Sequence, residues 1–130
     1  MEYWLKSLEP KAELRMGDSK KQTDIEKLKT QATRLVDLAD YRDGSIVSRE
    51  IVSKKTGTIT AFAFDEEQGL SEHTAPFDAV VEILDGEAQL TIGGKVLNAF
   101  TGEMVIMPAN VPHSVKATRK FKMLLTMIRS

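Results

Sequence analysis

The feature that most constrains this chain is a succession of short β-forming runs broken by turn residues, which begins near residue 43 and continues to the C-terminal end. SIVSREIVS (45–53) and TITAFAF (58–64) mix β-branched, small and aromatic residues in alternation, and Lys54-Lys55-Thr56-Gly57 between them reads as a turn. AVVEIL and AQLTI come next, punctuated by Asp85-Gly86 and Gly93-Gly94 at hairpin spacing, while Thr101-Gly102 and Pro108 bracket EMVIM. FKMLLTMI closes the series. Roughly eight such strands, with turns about every eight to twelve residues, predict an all-β sandwich or barrel.

Upstream the pattern differs. Residues 1–18 carry no sustained period and contain Pro10 and Gly17, so they read as an arm that is loose or docks on a partner surface. Ile25, Leu28, Ala32, Leu35, Val36 and Ala39 then recur at three and four residues, which predicts an amphipathic helix over roughly 20–38 covering the barrel or a subunit contact. The expected organisation is an arm and helix in 1–42 and a β-barrel in 43–130, within the single domain that 130 residues support.

Charge and cysteine content narrow the function classes. Eighteen basic residues stand against 19 acidic ones, so the chain has no general attraction for a phosphate backbone, and nucleic acid is not an expected partner. The absence of cysteine excludes disulfides, thiol chemistry and thiolate ligands, and fits a reducing cytoplasm. Charged residues break every apolar run in MEYWLKSLEPKAELR before a signal-peptide core forms, and no run approaches the roughly 20 apolar residues of a membrane helix. No membrane partner is expected. The basic Lys116, Arg119, Lys120, Lys122 and Arg129 could complement Asp65-Glu66-Glu67 across a subunit boundary, although a solvated face is the more ordinary outcome.

Two stretches carry chemistry: HTAPFDAVVEILDGEAQLTIGG (73–94) and GEMVIMPANVPHSV (102–115). Their order resembles the two halves of a small single-domain cupin of the RmlC-like superfamily, and the resemblance covers roughly residues 43–130. It implies a double-stranded β-helix, or jelly-roll, barrel, to which the helix read from the apolar spacing upstream would be the N-terminal addition. The family's first motif has a histidine, a second histidine two positions later and a glutamate four positions after that, before a glycine turn. Aligned on Gly86, these places hold His73, Ala75 and Ala79. In the second motif Gly102, Pro108 and His113 match the first glycine, the proline and the last histidine ligand, whereas Asn110 replaces a second glycine.

Two of four metal-ligand positions therefore keep a donor. Residues two and four apart on a strand share a face, so His73, Ala75 and Ala79 should all point into the barrel. Two imidazoles alone leave a divalent iron, manganese, nickel or zinc ion with mostly water ligands, so His73 and His113 are an incomplete metal set and no cofactor is required. Glu72, Asp78 and Glu82 are the nearby carboxylates. Alternation turns Glu72 and Glu82 outward, and Asp78 falls in the connection opened by Pro76.

The expected ligand pocket comprises His73, Ala75, Ala79, Val81, Ile83, Met107 and His113. Either Met104 or Val105 should join it, with Met123, Leu125 and Met127 or their neighbours from the last strand. Clustered methionine more often means core packing than a cofactor pocket, and Phe62, Phe64 and Phe77 carry the same ambiguity. An open pocket of this kind takes a small, largely apolar ligand with one polar end at the histidines.

Three functions stay open: a small-molecule-binding cupin whose metal site is lost, an enzyme, or a structural or regulatory dimer with a filled barrel. The enzyme would be a metal-dependent dioxygenase or isomerase, or a metal-free acid/base catalyst, with His73 and His113 as the catalytic candidates. Short barrels leave strand edges and apolar outer faces, which predicts a homodimer.

Overall fold

The computed structural model describes residues 13–15 and 25–129. Among them are nine strands: β1 (Glu13–Arg15), β2 (Ser45–Lys54), β3 (Gly57–Phe64), β4 (Gly69–His73), β5 (Ala79–Ile92), β6 (Lys95–Phe100), β7 (Met104–Met107), β8 (His113–Lys116) and β9 (Phe121–Ile128). β1 runs parallel to β2, with Leu14 opposite Ile46, and every other pairing among the described residues is antiparallel. Three residues of the predicted loose arm are thus a strand on the β2 edge; the rest of residues 1–18 lies outside the described residues.

The strands form two facing layers. One has the order β1-β2-β3-β9-β5-β7, the other β6-β5-β8-β4, and β5 belongs to both. Its first half pairs with β9 and β7 and its second half with β6 and β8. Asp85-Gly86 is therefore not the turn of a hairpin. β5 runs unbroken through it for 14 residues, with a register shift between Ile83 and Asp85 that bends the strand from one layer into the other. Gly86 has φ 76°, and a Cβ there would sit 2.3 Å from the carbonyl oxygen of Lys120. The dipeptide carries the same backbone demand as a hairpin turn but uses it for a corner.

Alternation then fills the space between the layers. Phe62, Phe64, Ala79, Val81, Ile83, Leu90, Met107, Val115, Phe121, Met123, Leu125 and Met127 are buried in one apolar core, and the Phe64 and Phe121 rings stack at 4.5 Å.

The predicted N-terminal helix is present but shorter than expected in the described part of 20–38. Only residues 25–28 are helical; Thr30 then takes φ 65°, and a single 3-10 turn comes after it at Leu35–Asp37. A left-handed residue stops a helix, and tertiary packing decides how the chain continues beyond it. Here the segment lies along the outer face of the larger layer, where Leu28, Leu38, Ala39 and Tyr41 cover Val47, Ala61, Ala63 and Leu124. The Tyr41 hydroxyl donates to Asp85 Oδ2 at 2.6 Å, and the ammonium groups of Lys120 and Lys122 lie 4.7 and 4.9 Å from its ring centroid. Burial, reinforced by the Asp85 carboxylate, holds the Tyr41 phenol protonated well above its usual range. The strap is thereby fastened at the β5 corner.

Glu67 lies 3.9 Å from Lys116 and Glu87 lies 3.6 Å from Arg119, both within the chain. These exposed pairs contribute little. No helix among the described residues is long and apolar enough to cross a membrane.

The corner gives a direct test. Gly86→Ala should destabilise the fold by about 2 kcal/mol or more, because it adds a steric clash with backbone to the left-handed φ. Gly94→Ala, at φ 83° with no atom within 4 Å, should cost only about 1 kcal/mol, and urea unfolding compares the two.

Candidate functional site

Two chain crossings between the layers build one end of the barrel. Residues 74–78 lead from β4 to β5, and residues 108–112 lead from β7 to β8. They are stitched together: the Asn110 amide donates to the Ala75 carbonyl at 2.8 Å, and the Ala109 amide donates to Asp78 Oδ1 at 2.8 Å. Asn110 has φ 63°, a left-handed conformation that asparagine tolerates. The strand ends at the two crossings are thus held at one level.

On the smaller layer that level carries the histidines. His73 pairs with His113 in register, and Ile92 pairs with His113 on the other side. The two rings meet edge to face with centroids 4.4 Å apart, His113 being 1% exposed and His73 half-buried. His73 Nδ1 lies 2.8 Å from the Ser71 carbonyl oxygen, and His113 Nδ1 lies 3.0 Å from that of Val111. A carbonyl only accepts, so each neutral ring carries its proton on Nδ1 and its lone pair on Nε2. Both Nε2 atoms are shielded from solvent. Burial pushes both imidazoles below their ordinary pKa, and for His113 the neighbouring His73 adds to the effect. The neutral form of both rings is the form the fold favours.

On the larger layer the same level carries Ala79, whose cross-strand partners are Met107 on one side and Met127 on the other. Thr58 pairs with Met127 and completes the row. All four are buried. Ala79 and Ile92 lie seven and six residues from Gly86 on opposite arms of the bent β5, so the two rows stand at similar distances from the corner, one in each layer.

The sequence-predicted site residues fall on both rows and below them. His73 and His113 meet. Ala79 and Met107 stand opposite, Ala75 lies buried in the stitched crossing at 2% exposure, and Val81 and Ile83 lie deeper along β5. Val105 packs against the core whereas Met104 is exposed; Phe62 and Phe64 are core, and Phe77 sits beside it under the Arg129 guanidinium. Glu72 and Glu82 are exposed and Asp78 is occupied with the Ala109 amide, so none joins the histidines.

Thr58 is the residue sequence reasoning missed. Its hydroxyl is buried, and among the described residues no hydrogen bond reaches it. The available signal was its parity with Thr60, Phe62 and Phe64 in TITAFAF. A surface groove of about 360 Å³, lined by Leu35, Val80, Glu82, Leu84, Thr101 and Met104, lies on the outer face; it shares Ile83 with the predicted pocket, along with Met104, one of the two alternatives expected there.

The donor set does not fit the divalent ion that the family motif implies. Ala75 and Ala79 stand at two of the four ligand positions without lone pairs, and no group of three or more histidine, cysteine, aspartate or glutamate side chains converges among the described residues.

Comparison with known proteins agrees with this architecture. The family model of the cupin domain matches residues 62–129. A conserved protein of unknown function from Streptococcus pyogenes is similar at 31% identity, over 78% of this chain and 89% of that one, with a TM-score of 0.75. A cupin 2 conserved barrel domain protein from Leptotrichia buccalis is 39% identical over 72% of this chain, which spans only 46% of that protein, with a TM-score of 0.70. A cupin superfamily protein from Desulfitobacterium hafniense shares the fold at 22% identity, with a TM-score of 0.75 over 78% of this chain and 94% of that one. No curated protein matches the sequence. With its jelly-roll barrel, its second motif intact but for Asn110 and its first motif reduced to one histidine, the chain belongs to the cupin family.

Proposed function

We propose that this cupin binds a small, largely apolar molecule inside its barrel, with the molecule's polar end held between His73, His113 and Thr58, and that it does so without the family's divalent metal. The observations that support this most are the pair of backbone-anchored imidazoles in the smaller layer and, in the larger layer, a buried hydroxyl that lacks a hydrogen-bond partner among the described residues. A polar group in an apolar wall costs free energy until something hydrogen-bonds to it, and a guest at this level would supply that bond. Two Nε2 lone pairs accept and do not donate, so the guest's polar end carries a donor, as in an alcohol, a phenol or a primary amide. The apolar remainder meets Val81, Ile83 and Met107.

The absence of cysteine is compatible with work in the cytoplasm. The same reading takes the protein as a homodimer. What supports it is β7, which among the described residues pairs only with β5 and turns Met104 and Ile106 outward at 54% and 52% exposure.

Three measurements test this reading. Titration with small alcohols, phenols and amides should shift the Nε2 resonances of both histidines, and Thr58→Val should weaken the strongest of these by roughly tenfold. Silence of both rings across the series would leave a filled barrel. Sedimentation equilibrium should show a dimer that Ile106→Lys converts to monomer; an unchanged mass would move the interface elsewhere.

The histidines also predict a pH dependence. Their folded pKa values lie below the ordinary 6.5, so as the pH falls through that value the unfolded chain takes up protons that the fold refuses. Stability present above pH 6.5 should be lost as the pH drops toward the depressed folded values. The urea midpoint of the unaltered chain should therefore fall more steeply below pH 6.5 than that of the His73→Gln/His113→Gln variant; parallel curves would show that the pair titrates normally.

A further inference from the structure

The groove on the outer face of the larger layer has a chemistry of its own. Its volume of about 360 Å³ falls in the range of small-molecule sites. Val80, Glu82 and Leu84, which alternation along β5 turns away from the core, line it together with Met104 of β7 and Leu35 of the 3-10 turn. Leu35 is 49% exposed and Met104 54%, so the strap that covers Val47, Ala61, Ala63 and Leu124 leaves this groove open.

The turn between β6 and β7, which completes the lining, is tied to β5. The Gly102 amide donates to the Ile83 carbonyl and the Ile83 amide to the Glu103 carbonyl, each at 2.9 Å. Glu103 Oε1 accepts from the Phe100 amide at 2.8 Å, which fixes the carboxylate in place and leaves it able to accept again. The Thr101 hydroxyl is already donated to the Gly86 carbonyl at 3.2 Å. What the groove offers a ligand is therefore acceptor-only: the carboxylates of Glu82 and Glu103, in a lining that contains no basic side chain. Among the described residues neither pairs with a cation. Two carboxylates in one apolar groove favour a cationic donor and repel a carboxylate or phosphate. The hydrocarbon beside them favours a ligand whose charge is carried on an apolar body, and the flexible Met104 thioether adapts to its shape.

We propose that this groove is a second ligand site, which takes a small organic ammonium: Glu82 and Glu103 hold the charge, and Leu35, Val80, Leu84 and Met104 hold the apolar body. The site stands apart from the barrel reading, because none of His73, His113 and Thr58 lines it. It also stands apart from Ile106, on which the test of the dimer turns and which does not line the groove.

The probe is phenethylammonium, with phenethyl alcohol and phenylacetate as its neutral and anionic counterparts. Each is titrated into the full chain at neutral pH while the Leu84 and Met104 methyl resonances are followed. The ammonium should bind most tightly and the carboxylate most weakly, and added salt should weaken the ammonium but not the alcohol. Glu82→Gln and Glu103→Gln should each weaken the ammonium by about threefold, and the double variant should bring it down to the alcohol. Both side chains are exposed, so urea unfolding should be unchanged in these variants. Leu35→Ala should weaken ammonium and alcohol alike. Equal affinity for the ammonium and the alcohol, or for the parent chain and the double variant, would overturn the proposal. Shifts confined to the histidine resonances would do the same by placing the probe in the barrel. Affinity that falls as the protein is concentrated would give the groove to a second copy of the chain, which also overturns it. The barrel reading is decided on the histidine resonances, so either site can fail without the other.

Discussion

One strand shared by two layers is the constraint on which the rest of this structure depends. β5 bends at Gly86, and its two arms give each layer a central strand. The corner is fixed from both sides. Gly86 lies so close to the Lys120 carbonyl that a side chain has no room, and the Gly86 carbonyl accepts from the Thr101 amide at 3.2 Å. Tyr41 then binds Asp85 one residue before the bend. The arms are of nearly equal length, and their far ends carry Ala79 between two methionines in one layer and Ile92 beside the histidine pair in the other. The site is a consequence of where the strand folds over, before any question of which residues line it.

The strands from residue 45 onward were legible because alternation is enforced wherever one face of a strand is buried and the other is wet. The corner was not, because a glycine at positive φ after an aspartate serves a hairpin and a bulged bend equally, and only the partners of the flanking residues distinguish them. The length of the helix was over-read for a related reason. Ile25, Leu28, Leu35 and Ala39 share a helical spacing, but the chain uses its apolar groups singly along a strap, interrupted at Thr30. Periodicity reports that apolar residues are needed, and it is silent on whether one continuous face receives them.

The candidate site was half legible. The two motifs located His73 and His113, and their spacing exposed the alanines where ligands are usual. Spacing within a strand could not show that Met107 and Met127 flank Ala79, since cross-strand neighbours are set by register among distant segments. Thr58 was hidden by ordinariness, threonine being common in any strand. Asn110 shows the reverse case, a departure from the motif at a left-handed position that asparagine can occupy.

β9, the strand nearest the C-terminal end, lies in the interior of the larger layer, between β3 and β5. Both neighbours leave the ribosome before it does, and they cannot join one another directly. During synthesis β3 and the first arm of β5 must therefore wait with open edges for a segment about sixty residues downstream of β3. The order of synthesis and the order of the sheet run against each other, so this barrel closes late, and the interval before closure is when its apolar strands are most open to chaperones and to each other.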